Sequence, residues 1–224
     1  MTVVSFASPK GGAGKSTSAL LLATAVARSG TSVAIIDADP NGAQVDWAQM
    51  AGPVENLTVL ADSKEDTIID TVERVAATAD LTIVDIAGAA QMLASDVMSR
   101  SDLVIIPIQA SFLDAKQASR AISMIQLIEK RFRMSIPYAL LLTRVSPAIT
   151  TREQKSIEAQ LAEGQVPVLR TALNERAAFK SMFSMGKTIW TLDPKYVSGL
   201  EKAQANAEEF TADVLQKLSE GADK

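Results

Sequence analysis

Cysteine and histidine are both absent from this 224-residue chain. Their absence removes disulfides, thiolate metal sites, iron–sulfur clusters, cysteine nucleophiles and imidazole acid–base chemistry together. Aromatic residues make up only 4% of the sequence, and they do not interleave with cations as a base-stacking surface would require. No uncharged apolar run reaches the ~18–20 residues that a membrane helix needs. A basic leader is also missing ahead of the first apolar run, so the sequence predicts a cytoplasmic protein with neither leader nor span. Catalysis is left to carboxylates, lysines, hydroxyls, backbone amides and a bound metal.

What is present is an Ala/Val/Ile/Leu-rich chain, 47% apolar, long enough for one well-filled core. Short apolar runs at Thr2–Ala7, Ser32–Asp37, Leu57–Ala61, Leu81–Ile86, Leu103–Ile108, Pro137–Thr143 and Val166–Leu169 read as strands. They are continuously apolar, as strands buried on both faces of a mostly parallel sheet are. Helical patterns lie between them at Ser16–Ser29, Ala43–Met50, Glu65–Ala77, Ala90–Ser99, Asp114–Arg131 and Thr151–Glu163, with Gly30 placed to stop the first. Glu175–Met185 and Val197–Leu218 follow as helices, the latter with Val197, Leu200, Ala203, Ala207, Phe210, Val214 and Leu218 on one stripe. The expectation is an α/β, doubly wound, mostly parallel sheet flanked by helices, in a single domain over residues 1–224, with ligands outside the carboxyl ends of the strands.

Residues 8–17, Ser-Pro-Lys-Gly-Gly-Ala-Gly-Lys-Ser-Thr, stand between the first strand and the first helix. This is where a phosphate-binding loop belongs, because the helix N-terminus turns free N–H groups and a positive dipole end toward an anion. Gly11, Gly12 and Gly14 let backbone wrap phosphate oxygens, Lys15 reaches the terminal phosphates, and Ser16 offers its hydroxyl to Mg²⁺. Pro9 occupies the place where the usual pattern has its first glycine, and a second lysine, Lys10, opens the loop instead.

That extra lysine makes the run resemble the deviant phosphate-binding loop of the ParA/MinD family of dimeric ATPases, and most closely its small partition and positioning members without an N-terminal helix-turn-helix domain. The resemblance extends to Asp37-Ala-Asp-Pro-Asn at the end of the second strand, to the Walker B-like Leu81-Thr-Ile-Val-Asp-Ile-Ala-Gly, and to the region around Val168–Ile189. It implies ATP and Mg²⁺ as cofactors, held by Gly11, Gly12, Ala13, Gly14, Lys15, Ser16 and Thr17 with Asp37 and Gly88 nearby. Lys15 then acts in cis, Lys10 crosses a dimer interface to the partner's ATP, Asp39 positions or activates the attacking water, and Asp37 supports the metal shell or the loop. Ser16 and Asp85 hold the metal, and Gly88 senses the γ-phosphate through its N–H. Thr143 and Arg144 occupy the place where relatives approach the base, with Thr143 in place of the usual Asn. Asn41 stands where Gln is usual.

The net charge is −4, yet Lys130–Lys187 carries ten Lys/Arg against four Asp/Glu, a local +6 that leaves −10 elsewhere. Such asymmetry can give an acidic protein a basic face. Arg152, Lys155, Arg170, Arg176 and Lys180 are the candidate DNA contacts, with Lys130, Arg131 and Arg133 as a second patch; capping of helix ends or surface pairing is the alternative use of these charges. The resemblance implies a homodimer when ATP is bound, nonspecific duplex DNA as partner, a nucleoid-associated location, and a cargo-linked activator protein, ParB-like or a cluster adaptor. Two alternatives stay open, a metabolic ATP-dependent enzyme of the same fold and a MinD-like membrane-cycling regulator. Against the latter, Glu201–Lys224 holds six acids and three lysines, a poor match for an anionic membrane.

Overall fold

The computed structural model describes residues 2–88 and 91–222. Seven strands, β1 (Thr2–Phe6), β2 (Val33–Ala38), β3 (Leu57–Ala61), β4 (Leu81–Ile86), β5 (Leu103–Gln109), β6 (Tyr138–Val145) and β7 (Leu173–Asn174), form one sheet in the order β3-β2-β4-β1-β5-β6-β7. Every ladder in it is parallel. Helices α1 (Lys15–Arg28), α2 (Ala43–Ala51), α7 (Ala177–Met185) and α8 (Leu200–Ala222) cover one face. Helices α3 (Ile68–Ala76), α4 (Gln91–Met98), α5 (Phe112–Phe132) and α6 (Arg152–Glu163) cover the other.

The period of two along each strand feeds both cores. Val4, Phe6 and Ile35 enter one, while Val3, Ala34 and Ile36 enter the other. Both faces are therefore apolar, which is why the strands read as unbroken hydrophobic runs. The expected stripe of the last helix closes onto the first of these cores: Leu200, Ala203, Ala207, Phe210 and Val214 are buried against α1, with Leu218 at its margin. Gly30 ends α1 as expected, its N–H reaching the Ala27 carbonyl at 3.0 Å. Among the described residues, no helix is long and apolar enough to cross a membrane.

The seventh strand is a correction. Val166–Leu169 makes only an isolated bridge between Val168 and Leu140, and the seventh strand is Leu173–Asn174. Pro167 has no N–H to donate, so the ladder beside β6 cannot propagate through it. Helix α3 begins at Ile68 rather than Glu65, because Asp62 accepts from the Lys64 N–H and the Thr67 hydroxyl and folds that stretch into a turn. Ala90, expected to open the fourth helix, lies outside the described residues.

Register decides what meets at the carboxyl edge. Asp85 at the end of β4 pairs with Phe6 of β1 on one side and Asp37 of β2 on the other. The loops after β1, β2 and β4 thus rise from three adjacent strands, and β6 contributes Thr143 from two strands away.

Candidate nucleotide-binding site

The loop after β1 delivers the chain to α1 through Gly14, which sits at φ 99° as the helix N-cap. A Cβ there would lie 3.3 Å from Thr143 Cγ2, so glycine is required both by φ and by space. No side chain caps α1 and its first turn holds no acid, which leaves the positive helix end open to an anion. It opens into a cavity of about 740 Å³ lined by the loop, Asp39, Asn41, Gly88 and Arg144. A volume of that order suits a cofactor-sized ligand.

The loop is braced from below. The Thr143 hydroxyl donates to the Ala13 carbonyl at 2.7 Å and also lies 3.1 Å from the Ile108 carbonyl. Gln109 Nε2 donates to the Gly12 carbonyl at 3.2 Å. Gly88 touches the loop directly: a Cβ there would lie 3.2 Å from the Ser8 carbonyl oxygen and 3.5 Å from Gly11 N. Gly88 therefore packs closely against the backbone of that loop.

Two aspartates end buried strands with different work. Asp37 Oδ2 accepts from the Gln44 N–H at 2.8 Å and the Val45 N–H at 3.1 Å, capping α2 from beneath. Burial pushes its carboxyl up while these bonds and the Asp39 N–H oppose the rise. Asp85 is fully buried; burial pushes its carboxyl up to about 6, against the Ser16 hydroxyl and the Gln44 amide. Its Oδ1 has no hydrogen-bond partner among the described residues. Ser16 and Asp85 supply oxygen alone, and no cluster of three or more His, Cys, Asp or Glu that could enclose an ion occurs among the described residues. That donor set fits Mg²⁺, which keeps most of its waters and takes one or two protein oxygens beside phosphates.

Asp39 stands on the cavity rim, half-buried, and its Oδ1 accepts from both the N–H (2.9 Å) and the Nδ2 (2.8 Å) of Asn41. Asn41 thus locks the turn that presents Asp39. The two lysines differ sharply. Lys15 is buried at the start of α1, whereas Lys10 forms an ion pair with Asp114 of its own chain at 3.0 Å. Asp114 is itself buried in the first turn of α5 and accepts from the Ser111 hydroxyl. In the single chain the leading lysine is therefore held in cis.

A family profile described as VirC1 protein matches residues 1–208. The Protein ParA of Rhizobium radiobacter is 36% identical over 220 residues, covering 98% of this chain and 99% of that protein. The chain belongs to the ParA/MinD family. The virC1 protein of Rhizobium rhizogenes is a further relative, 28% identical over 204 residues and covering 86% of this chain and 84% of its own. Apo McdA of Cyanothece shares the fold at a TM-score of 0.78 and 17% identity, covering 96% of this chain and 99% of that one.

Against the ParA/MinD pattern, the basic residues divide. Arg176 and Lys180 line a small cavity of about 60 Å³ beside Gly14, Thr17, Thr143 and Arg144. Lys180 pairs with Glu175 at 2.9 Å, and the buried Arg176 Nε has no partner among the described residues. Arg170 is drawn onto α8 by Asp213 at 3.2 Å and by Gln216. Arg152 and Lys155 lie exposed on the first turns of α6. The second patch sits at the end of α5, where Arg133 forms the C-cap. Arg144 lines both cavities because a bulge in β6 puts it at φ 53° between the paired Thr143 and Val145. Leu173, Asn174 and Phe179 also line the smaller cavity; a two-residue strand carries too little pattern to be read in a sequence.

Proposed function

We propose that this chain is a ParA-type ATPase that pairs around Mg·ATP, binds duplex DNA nonspecifically as a pair, and lets go after hydrolysis, thereby segregating plasmid DNA or positioning a protein cluster. The observation that carries the reading is a two-lysine phosphate loop on an uncapped helix N-terminus, with the Ser16 hydroxyl close to the buried Asp85. The free N–H groups of residues 14–17 wrap phosphate oxygens, and Lys15 neutralises charge that spreads over them during transfer. Bound Mg²⁺ would neutralise the β- and γ-phosphate oxygens. Asp39, fixed by Asn41, orients the attacking water from the rim.

Pairing follows from an exchange of anions. Lys10 leaves Asp114 and meets the partner's triphosphate, so nucleotide state and pairing state become one equilibrium. A cavity of about 820 Å³ between α4 and α5, lined in part by Met92, Met98, Met124 and Leu127, shares Pro9, Ala87 and Gly88 with the nucleotide cavity. A cargo-linked activator would act on turnover through this groove, whose methionine-rich lining also carries Arg120 and Arg131. DNA contact is to phosphates, made by the exposed Arg152 and Lys155, and the working location is the cytoplasmic nucleoid.

Co-sedimentation with random duplex DNA over a salt series tests the reading. Binding in ATP that fades with salt and vanishes in ADP is the expected result, and Asp39→Ala should keep binding while turnover stalls. No ATP-dependent binding at low salt would favour a metabolic enzyme of the same fold.

A further inference from the structure

Gln44 has no assigned role, yet it is fully buried at the base of the site. It occupies the first turn of α2, its backbone N–H bound to Asp37. Both protons of its amide are engaged: Nε2 lies 2.9 Å from the Ser16 carbonyl oxygen and 3.0 Å from Asp85 Oδ2. The amide orientation is fixed by these partners, because a flipped side chain would set its oxygen against a carbonyl and a carboxylate. One side chain thus ties the start of α1, the end of β4 and the start of α2, and through its N–H the end of β2.

What this network lacks is equally specific. Gln44 Oε1 and Asp85 Oδ1 are both buried and both without a hydrogen-bond partner among the described residues. Each is an acceptor, and the two belong to side chains already joined by a hydrogen bond. Buried acceptors left unpaired are costly, so a native pair of them calls for a donor. A cation that keeps its water shell presents water protons to such acceptors.

We propose that Gln44 is a positioning residue of the metal site: it holds Asp85 Oδ2 so that Oδ1 faces the cation's water shell, and its own Oε1 accepts from a water of that shell. This rests on the Mg·nucleotide reading above. Partners of this kind around metal ligands change metal affinity by about 10–100-fold when removed.

The test is binding of a fluorescent ADP analogue to the full chain, in chelator and across a Mg²⁺ titration, for wild type, Gln44→Met and Gln44→Glu. Gln44→Met matches the length without polar atoms; it should raise the Mg²⁺ midpoint about tenfold and leave affinity in chelator within about twofold. Gln44→Glu keeps Oε1 but replaces the donor with a second carboxylate, and should also raise the midpoint. Each variant's thermal melt without ligand is recorded. A purely structural side chain would lower melting temperature and weaken binding equally with and without Mg²⁺, and that result overturns the proposal. So does an unshifted midpoint in whichever variant folds. Wild type that binds the analogue with no Mg²⁺ dependence would instead remove the Mg·nucleotide reading itself, and this inference with it.

Discussion

Neutralising Asp114 should make the chain pair more readily in ATP. Lys10 Nζ stands 3.0 Å from Asp114 Oδ1 and 3.1 Å from Oδ2, with the aspartate side chain 2% exposed and the lysine 39%. A fully exposed pair of this kind is worth about 0–1 kcal/mol, and a hydrogen bond to a charged group about 1.5–3 kcal/mol. Half-exposure of the lysine screens the contact, so about 1–2 kcal/mol per chain is the reasonable value, a factor of about 5–30. Asparagine keeps the shape and still accepts from the Ser111 hydroxyl, so the start of α5 should survive. Two contacts open for each pair formed, and the dissociation constant of the ATP-bound pair should fall at least about tenfold in Asp114→Asn. Energy transfer between labelled chains, titrated in a slowly hydrolysed ATP analogue, measures it. Monomer affinity for nucleotide should stay unchanged. Unchanged or weaker pairing in Asp114→Asn would refute the exchange of anions on which the reasoning depends.

Three further outcomes follow from the site. Asp85 binds its proton more tightly folded than unfolded, so its share of stability is full below the ordinary value of 3.8 and lost as pH rises through about 6. Asp85→Asn should therefore stabilise the ligand-free chain at neutral pH by about 1–3 kcal/mol, narrow the difference between acid and neutral urea melts, and abolish Mg²⁺-dependent nucleotide binding. Gly88→Ala sets a methyl 3.2 Å from the Ser8 carbonyl oxygen and 3.4 Å from Lys10 C; overpacking of about 1–3 kcal/mol should weaken nucleotide binding, read by calorimetry, with the fold intact by circular dichroism. Charge reversal at Arg152 and Lys155 should weaken DNA binding and flatten the salt slope by about 2, whereas Arg170→Ala, which loses its contacts to Asp213 and Gln216, should lower the melting temperature and leave the DNA slope alone.

The sheet was legible because local pattern and tertiary role agree. Buried parallel strands announce themselves as apolar runs, and β3 and β4 fall on the expected residues. Val166–Leu169 misled because its side chains suit a strand while Pro167 denies the ladder a donor. The phosphate loop was legible because its chemistry is contiguous. Asp114 was not, lying 104 residues from Lys10 and meeting it only through the fold. Gln44 carries no chemical signature in the first turn of a helix, and only the orphaned oxygens mark it. Thr143 was expected near the base, and its hydroxyl braces the loop from below. Arg170 was a candidate DNA contact, and its pairing with Asp213, 43 residues away, is visible only in the fold.

Molar mass in solution tests the central claim most directly. Light scattering of the 23.8 kDa chain should show one chain in ADP, two in a slowly hydrolysed ATP analogue with Mg²⁺, and one again in that analogue for Lys10→Ala. A wild-type chain that stays single in the saturating analogue, or a Lys10→Ala variant that pairs as well as wild type, would contradict it.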